Sequence, residues 1–419
     1  MRLLFKIILG QMRAKKLQTL HMLLSLILSV AMVTVVCAAF DALKAPYAMS
    51  PDSEEYWDAV YTGRVFIGIT AVLCSVTVAA AFAIEAEERI RILGFLSSVG
   101  MHPHQQYLFF LIEWGMYIVP AIPAGIALGY TGVRELIAYC LRLFVRFSGK
   151  EPPLARQLSS VPVLPGSIIT IAVLTFTAAG IAAGVTLFRM RRASLLTIIK
   201  RNSRINVALK ETLLSRISKK LFGRIGALAG QNYENYKWQY RFISLALSGG
   251  TTFFMLIYSY FHYGVVIYAM RDSSSPIEAN PAYAMRYHVY GLACLFVFVF
   301  LFCALGFLRR SIDVRKRDLI AYVSVGISRA DMIRMNVIES GYLAWYALLY
   351  GLIGSLIANY ALLFLLRITS SGKYLIPFSF PIWGMWYFVV LDLAVGVLYA
   401  VYSAWRLSRM DILDAIRVV

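Results

Sequence analysis

The sequence predicts an all-α integral membrane protein. Eight transmembrane helices form two parallel-repeat halves of four, with cytosolic amphipathic arms and coupling helices. Three observations lead there: the length of the apolar runs, the asymmetry of the basic residues between them, and a set of marked residues repeated at one constant offset. Of 419 residues, 60% are hydrophobic and 15% charged, with mean hydropathy +0.69. A soluble domain carries roughly 45–50% apolar and about 25% charged residues, so the excess is too large for a globular core.

A spanning helix needs about 20 mostly apolar residues. Eight runs qualify, near Leu17–Phe40, Val65–Ile84, Tyr107–Leu128, Ile168–Phe188, Phe242–Phe261, His288–Leu308, Gly341–Phe364 and Ile382–Trp405. A basic amphipathic stretch precedes the first. That run, apolar from Leu20, is too long for the core of a cleavable signal and is expected to be retained.

Orientation follows from the basic residues. With the N-terminus in the cytosol, the cytosolic segments hold 30 Lys and Arg and the outer loops 11. The positive-inside rule then places both termini in the cytosol. The outer loop Thr131–Leu164 goes against this trend with five basic residues. In it, Arg142 and Arg146 stand one turn apart beside apolar residues. An interfacial helix at Arg134–Arg146 on the outer leaflet accounts for this; a substrate-contacting surface is the alternative. The net charge of +19 thus reads as membrane-facing, with no nucleic-acid partner. The basic segment Arg189–Arg241 carries amphipathic turns that suit arms lying on anionic lipid.

The repeat is carried by spacing. Arg91, Gly100, Glu113, Gly115 and Gly125 recur as Arg317, Gly326, Glu339, Gly341 and Gly351, all five pairs sharing one offset. The segment ends match too, Arg189–Lys200 with Arg406–Arg417, and the starts share Gly10-Gln11 and Gly230-Gln231. Two four-span halves follow, 1–205 and 206–419, in the same orientation about an axis along the membrane normal.

These residues resemble the FtsX-like permease family, the MacB-type membrane subunits of ABC transporters. The run Glu88-Arg89-Ile-Arg91-Ile-Leu-Gly94-Phe-Leu-Ser-Ser-Val-Gly100 is similar to the family's cytosolic loop after its second span, with Ser97 where Arg is usual. The second copy keeps Arg315-Lys316-Arg317 and Gly326 but has Ile320 where Gly94 stands. The tail Asp411-Ile-Leu-Asp-Ala415-Ile416-Arg417 is similar to the family's end. Many relatives carry a large outer domain; here the outer loops run about 25, 40, 25 and 17 residues, too short for a domain of roughly 50.

The resemblance implies a permease in the plasma membrane of a bacterium, coupled to a separate ABC ATPase, two copies per permease, which binds the ATP and Mg. It implies docking of that partner on two coupling loops: Arg91, Gly94, Leu96, Val99, Gly100 and Met101 in the first, Arg317, Tyr322, Val325, Gly326 and Ile327 in the second. The work implied is export or removal of an amphipathic peptide or lipid at the outer face, as in antimicrobial-peptide resistance. One alternative is mechanotransmission to a cell-wall hydrolase or sensor kinase. Another is an ATP-independent secondary transporter.

The residues themselves carry no catalytic signature. No G-x-x-x-x-G-K-[ST] occurs, so the chain is not expected to cradle ATP, and no G-x-S-x-G or H-E-x-x-H is present. The five cysteines lack CxxC spacing and the five histidines lack convincing ligand partners, so no catalytic residue, metal or cofactor is expected in this chain. Each coupling loop reads as a charged start, a short apolar helix, and a Gly that ends it. Three acids fall in apolar surroundings: Glu113, Glu339 and Asp392. Intramembrane acids are costly unless partnered. Glu113 and Glu339 read as structural groups held near a cytosolic Arg, or as links that hydrogen-bond the coupling loop and transmit its movement. Asp392 reads as a hydrogen bond to a neighbouring span rather than a proton relay. Gly125-x-x-x-Gly129, Gly180-x-x-x-Gly184 and Gly351 with Ser355 read as close helix contacts.

Overall fold

The structure, a computed structural model, describes residues 2–44, 60–61, 63–82, 100–148, 165–192, 213–271, 281–324, 326–369, 378 and 382–408. Among the described residues it is helical throughout, without a strand. The helices are α1 (Arg2–Ala14), α2 (Lys16–Lys44), α3 (Gly63–Phe82), α4 (Pro103–Ser148), α5 (Pro165–Arg192), α6 (Leu213–Asn235), α7 (Lys237–Arg271), α8 (Pro281–Ser324), α9 (Arg329–Thr369) and α10 (Ile382–Ser408).

Six of them are long and apolar enough to cross a membrane: α2, α3, α4, α7, α9 and α10, over Lys16–Ala42, Gly63–Phe82, His104–Arg142, Lys237–Tyr263, Arg329–Arg367 and Met385–Arg406. The fourth and sixth expected spans fall on α5 and α8. There the apolar stretches among the described residues are shorter, Pro165–Thr177 and Ala293–Arg309.

Helix length departs from expectation in two places. Arg134–Arg146 is not a separate surface helix but the continuation of α4, which runs unbroken for 46 residues through Pro120 and Pro123. At 1.5 Å per residue that is about 69 Å, over twice the hydrocarbon thickness. The charged run Arg309–Arg317 is likewise not a loop start: it lies inside the 44-residue α8. Both runs keep good helix formers and contain no Gly or Pro, so nothing local ends the helix.

Close helix pairs organise the bundle. α2 packs along α4, and α7 along α9. A Cβ on Gly125 would stand 2.6 Å from Val30 Cβ and 2.9 Å from the Ile27 carbonyl oxygen; one on Gly129 would press on Thr34 and the Ala31 carbonyl. In the other pair Gly351 faces Thr251 and Ser248, and Ser355 is buried. The small residues at these positions therefore let α4 approach the α2 backbone and let α9 pack closely on the Thr251 and Ser248 side chains of α7. Gly180 and Gly184 behave differently: a Cβ at either meets nothing within 4 Å, so the expected close contact at this pair is not made among the described residues.

Contacts between the two sequence halves are reciprocal. α3 meets α7, with Phe66 edge-on to Tyr260 at 5.4 Å and Ala80 and Ala81 packed among Tyr240, Ile243 and Ala246. α8 meets α2, where the His21 ring lies 5.2 Å from Phe302. α6 is bent at Gly223, and its two parts fold back on each other. Ser215 Oγ donates to the Ala227 carbonyl at 3.2 Å, and Gly230 sits on the Ser215 backbone.

Gly125→Val should therefore wedge α2 from α4 and destabilise the protein by about 1–3 kcal/mol, the usual range for overpacking. Gly180→Ala should be close to neutral. Thermal unfolding of both variants in detergent checks the contrast.

Candidate functional site

Two interhelical joints carry the residues at the constant offset. Gly100 and Gly326 both have positive φ, 99° and 97°, a conformation in which glycine has no Cβ penalty. Each is followed two residues later by a helix cap. At the second joint the Ile327 amide donates to the Tyr322 carbonyl at 3.1 Å. This six-to-one bond across a left-handed residue is the Schellman closure of a helix C-terminus. Ser328 then caps α9: the Asp331 amide donates to its Oγ at 3.1 Å, and that Oγ donates to Asp331 Oδ2 at 2.7 Å.

At the first joint the residues before Gly100 lie outside the described ones, and the cap after it is built from other residues. His102 takes the capping position before Pro103, which suits the first helical turn. The His104 amide donates to His102 Nδ1 at 3.4 Å, and the His102 amide donates to Gln105 Oε1 at 3.3 Å. This is the reciprocal pattern of a capping box, with Gln in the acidic residue's place. The His102 imidazole is thus a helix cap. No group of His, Cys, Asp and Glu among the described residues could hold a metal.

Arms roof both joints. Met101 packs with Met12, Ile112 and Met116 around buried Ile8 and Phe109, so α1 covers the start of α4. Tyr322 packs with Ile225 and Leu228 around Ala229, Met332 and Met335, so α6 covers the start of α9. These two residues, expected on a docking face, pack against the arms and are half-buried. Gly100 and Gly326 remain exposed, and Ile327 is half-buried. Arg317 lies on α8. Arg91, Gly94, Leu96, Val99 and Val325 lie outside the described residues.

The two acids at the offset are both buried, Glu113 on α4 and Glu339 on α9. Glu339 is fully enclosed. Asn232 Nδ2 on α6 donates to its Oε1 at 2.5 Å, and Tyr240 OH on α7 donates to its Oε2 at 2.7 Å. One carboxylate therefore ties the arm, the fifth expected span and the seventh together through polar side chains. Next to it Tyr233 stacks between Tyr240 and Tyr346, with centroids at 5.0 and 5.5 Å. Burial, with Tyr346 and Tyr350 beside it, pushes the Tyr233 phenol above its ordinary range.

Sequence reading missed a second polar clamp on the α7–α9 pair. Tyr263 OH donates to Asn359 Oδ1 at 2.8 Å, and Asn359 Nδ2 donates to Ser259 Oγ at 2.8 Å. It also missed Asp41, which accepts from Ser167 Oγ and ties α2 to the start of α5. Asp392 is buried on α10. Its Oδ1 has no hydrogen-bond partner among the described residues, so the expected interspan bond is not found there. Thr175, at its counterpart position, bonds its own helix through the Ile171 carbonyl.

Apolar helices of spanning length, joined at capped turns and roofed by arms, define a multi-pass helical membrane protein. The sequence profile of the FtsX-like permease C-terminal region matches residues 64–195 and 290–412, more than half of the chain, and the chain belongs to the FtsX-like permease family. The second matched segment follows the first at the same spacing that separates Gly100 from Gly326. Comparison with curated proteins gives no match, and neither does comparison with solved structures.

Removing either donor to Glu339 should weaken the clamp. Tyr240→Phe leaves a buried carboxylate oxygen short of a donor, at a cost of about 1–3 kcal/mol. Asn232→Ala should cost a similar amount and also loosen α6. Thermal unfolding measures the first, and limited proteolysis within Leu213–Asn235 the second.

Proposed function

We propose that this chain is the membrane subunit of an ABC transporter, with eight spans in two halves, 1–205 and 206–419, and both termini in the cytosol. A separate ATPase, two copies per permease, binds ATP and Mg and docks at the joints around Gly100 and Gly326. The observation that carries this reading is the pair of joints: two left-handed glycines at equivalent positions of the repeat, each opening a capped helix roofed by its own arm. A docking partner that moves a joint moves the arm packed on it. In the second half Asn232 and Tyr240 pass that movement through Glu339 to α7 and α9.

Export or removal of an amphipathic peptide or lipid at the outer face is the work we assign to that movement. The exposed Ile217, Leu221 and Phe222 on α6, flanked by Arg216, Lys219 and Lys220, suit an arm resting on anionic lipid. Signalling to a hydrolase or sensor kinase is the second reading. The continuous α8 favours it, because a rod of this kind transmits displacement without a pore.

Docking is tested at the glycines. The proline ring locks φ in the negative range and cannot adopt the positive φ of either joint. Gly100→Pro and Gly326→Pro should each lower ATPase-coupled activity, and the double variant should lose the co-purifying ATPase while still inserting in the membrane. Undiminished ATPase retention by the inserted double variant would rule the joints out as docking elements. Orientation is tested separately. A cysteine at Lys219 should react with an impermeant maleimide only after the cells are opened, and labelling of intact cells would reverse the topology.

A further inference from the structure

Where α1 passes into α2, the boundary between the two halves opens into a cavity of about 610 Å³. This lies within the range of about 300–1,000 Å³ typical of small-molecule sites. Four formal cations, Arg13, Lys15, Lys16 and Arg309, stand around it, and none of the described residues lining it is acidic. They come from both halves, three from the arm and its junction with α2 and one from α8. The Arg406 guanidinium approaches the same rim, donating to the Arg309 carbonyl at 3.4 Å. Deeper in, the wall is apolar, with buried Met22, Ala81 and Phe307.

The shape of the cavity is held by a specific packing. The His21 ring lies over α8, with Nε2 3.4 Å from the Phe302 carbonyl oxygen. A Cβ on Gly306 would run into that ring, so glycine is what admits His21 to this position. From the cavity mouth Leu17, Leu20 and Leu24 run along one exposed side of α2.

We propose that this cavity binds a phosphate-bearing headgroup, that of an anionic phospholipid whose acyl chains lie along Leu17, Leu20 and Leu24. Arg13, Lys16 and Arg309, gathered around one cavity, repel each other unless an anion offsets them. Guanidinium forks match phosphate oxygens two at a time, and basic pockets between membrane helices suit anionic headgroups. The apolar wall and the leucine stripe favour a lipid over a free ion, although a soluble phosphate offers the rim the same chemistry. Because the cations belong to both halves, the bound headgroup bridges α2 and α8. Placing it in the cytosolic leaflet rests on the orientation proposed above; the binding does not.

The test uses the full chain, purified in detergent and depleted of lipid. Native mass spectrometry and thermal unfolding are followed with dioleoyl phosphatidylglycerol, dioleoyl phosphatidylcholine and inorganic phosphate. Phosphatidylglycerol should be retained and raise the unfolding temperature, and phosphatidylcholine should do neither. Arg13→Gln and Arg309→Gln should each weaken phosphatidylglycerol binding about fivefold, whereas Arg216→Gln on α6 should leave it unchanged. Gly306→Ala, by displacing His21, should weaken it independently of charge. A shift given by inorganic phosphate alone, and lost in the arginine variants, would assign the site to a soluble anion. Equal binding of both lipids with phosphate inert, or wild-type binding by the arginine variants, overturns the proposal. None of these readouts needs an ATPase or a known orientation, so their failure is separable from failure of the transporter reading.

Discussion

A carboxylate enclosed among apolar helices must be met by donors, because desolvation costs several kcal/mol that nothing else returns. Glu339 meets that requirement with one donor from the arm and one from α7. Both partners donate, as an acceptor-only group requires, and the two bonds fall on different carboxylate oxygens. The position of α6 follows from this. Asn232 reaches the acid only if the hairpin bent at Gly223 seats its second part against α9, and that seat places Ile225 and Leu228 over Tyr322. The Tyr263–Asn359–Ser259 clamp lies farther along α9, by about 30 Å at the helical rise. Between the two clamps Gly351 and Gly354 of α9 press closely on the Thr251 and Thr252 side chains of α7. Polar bonds at both ends and small residues between them fix this pair in one register.

The first half solves the same packing problem differently. Counting from the shared Gly-Gln of the arms, Met12 stands where the second half has Asn232. Met12 joins the apolar cover over Phe109, so at this position the first arm makes an apolar contact where the second arm places an amide on a carboxylate. Along α2 and α4 the contact is made by Gly125 and Gly129 against Val30, Thr34 and two carbonyls. Apolar contacts tolerate sliding better than paired hydrogen bonds do, because their energy does not depend on direction. The two joints share a positive-φ glycine followed by a helix cap, while the residues at equivalent positions of the arms above them differ in chemistry.

Much of this was legible in the sequence because it repeats. The constant offset singled out Gly100 and Gly326 before their shared positive φ was known, and it singled out Glu113 and Glu339 before their burial was. Features present in one copy could not be reached that way. Asn232 and Tyr240 bond Glu339 from distant parts of the chain, and neither side chain signals its partner locally. Asn359 and Tyr263 read as ordinary residues of apolar runs, although a polar amide in such a run was an available signal. His102 looked like a stray titratable group because a histidine cap lacks the composition of the usual Ser, Thr, Asp or Asn. The length of α8 was hidden by its charges. Arg309–Arg317 reads as a loop by hydropathy, yet its residues are good helix formers, and hydropathy says only where a helix leaves the apolar layer, not where it ends.

That continuity determines what the second joint can do. A flexible loop after the sixth expected span would absorb a push in its own torsions. α8 instead runs from Pro281 to Ser324 without interruption, and bending a helix without Pro, Gly pairs or an inserted group is unfavourable. Displacement at its C-terminal end is therefore carried along the rod toward Gly306, where the His21 ring sits against it. At Gly326 a left-handed backbone closes one helix, and Ser328 caps the next. This joint and the boundary between the halves are thus two points on one stiff element. On the transporter reading proposed above, movement at the joint would reach α2 directly, without first passing through the arm.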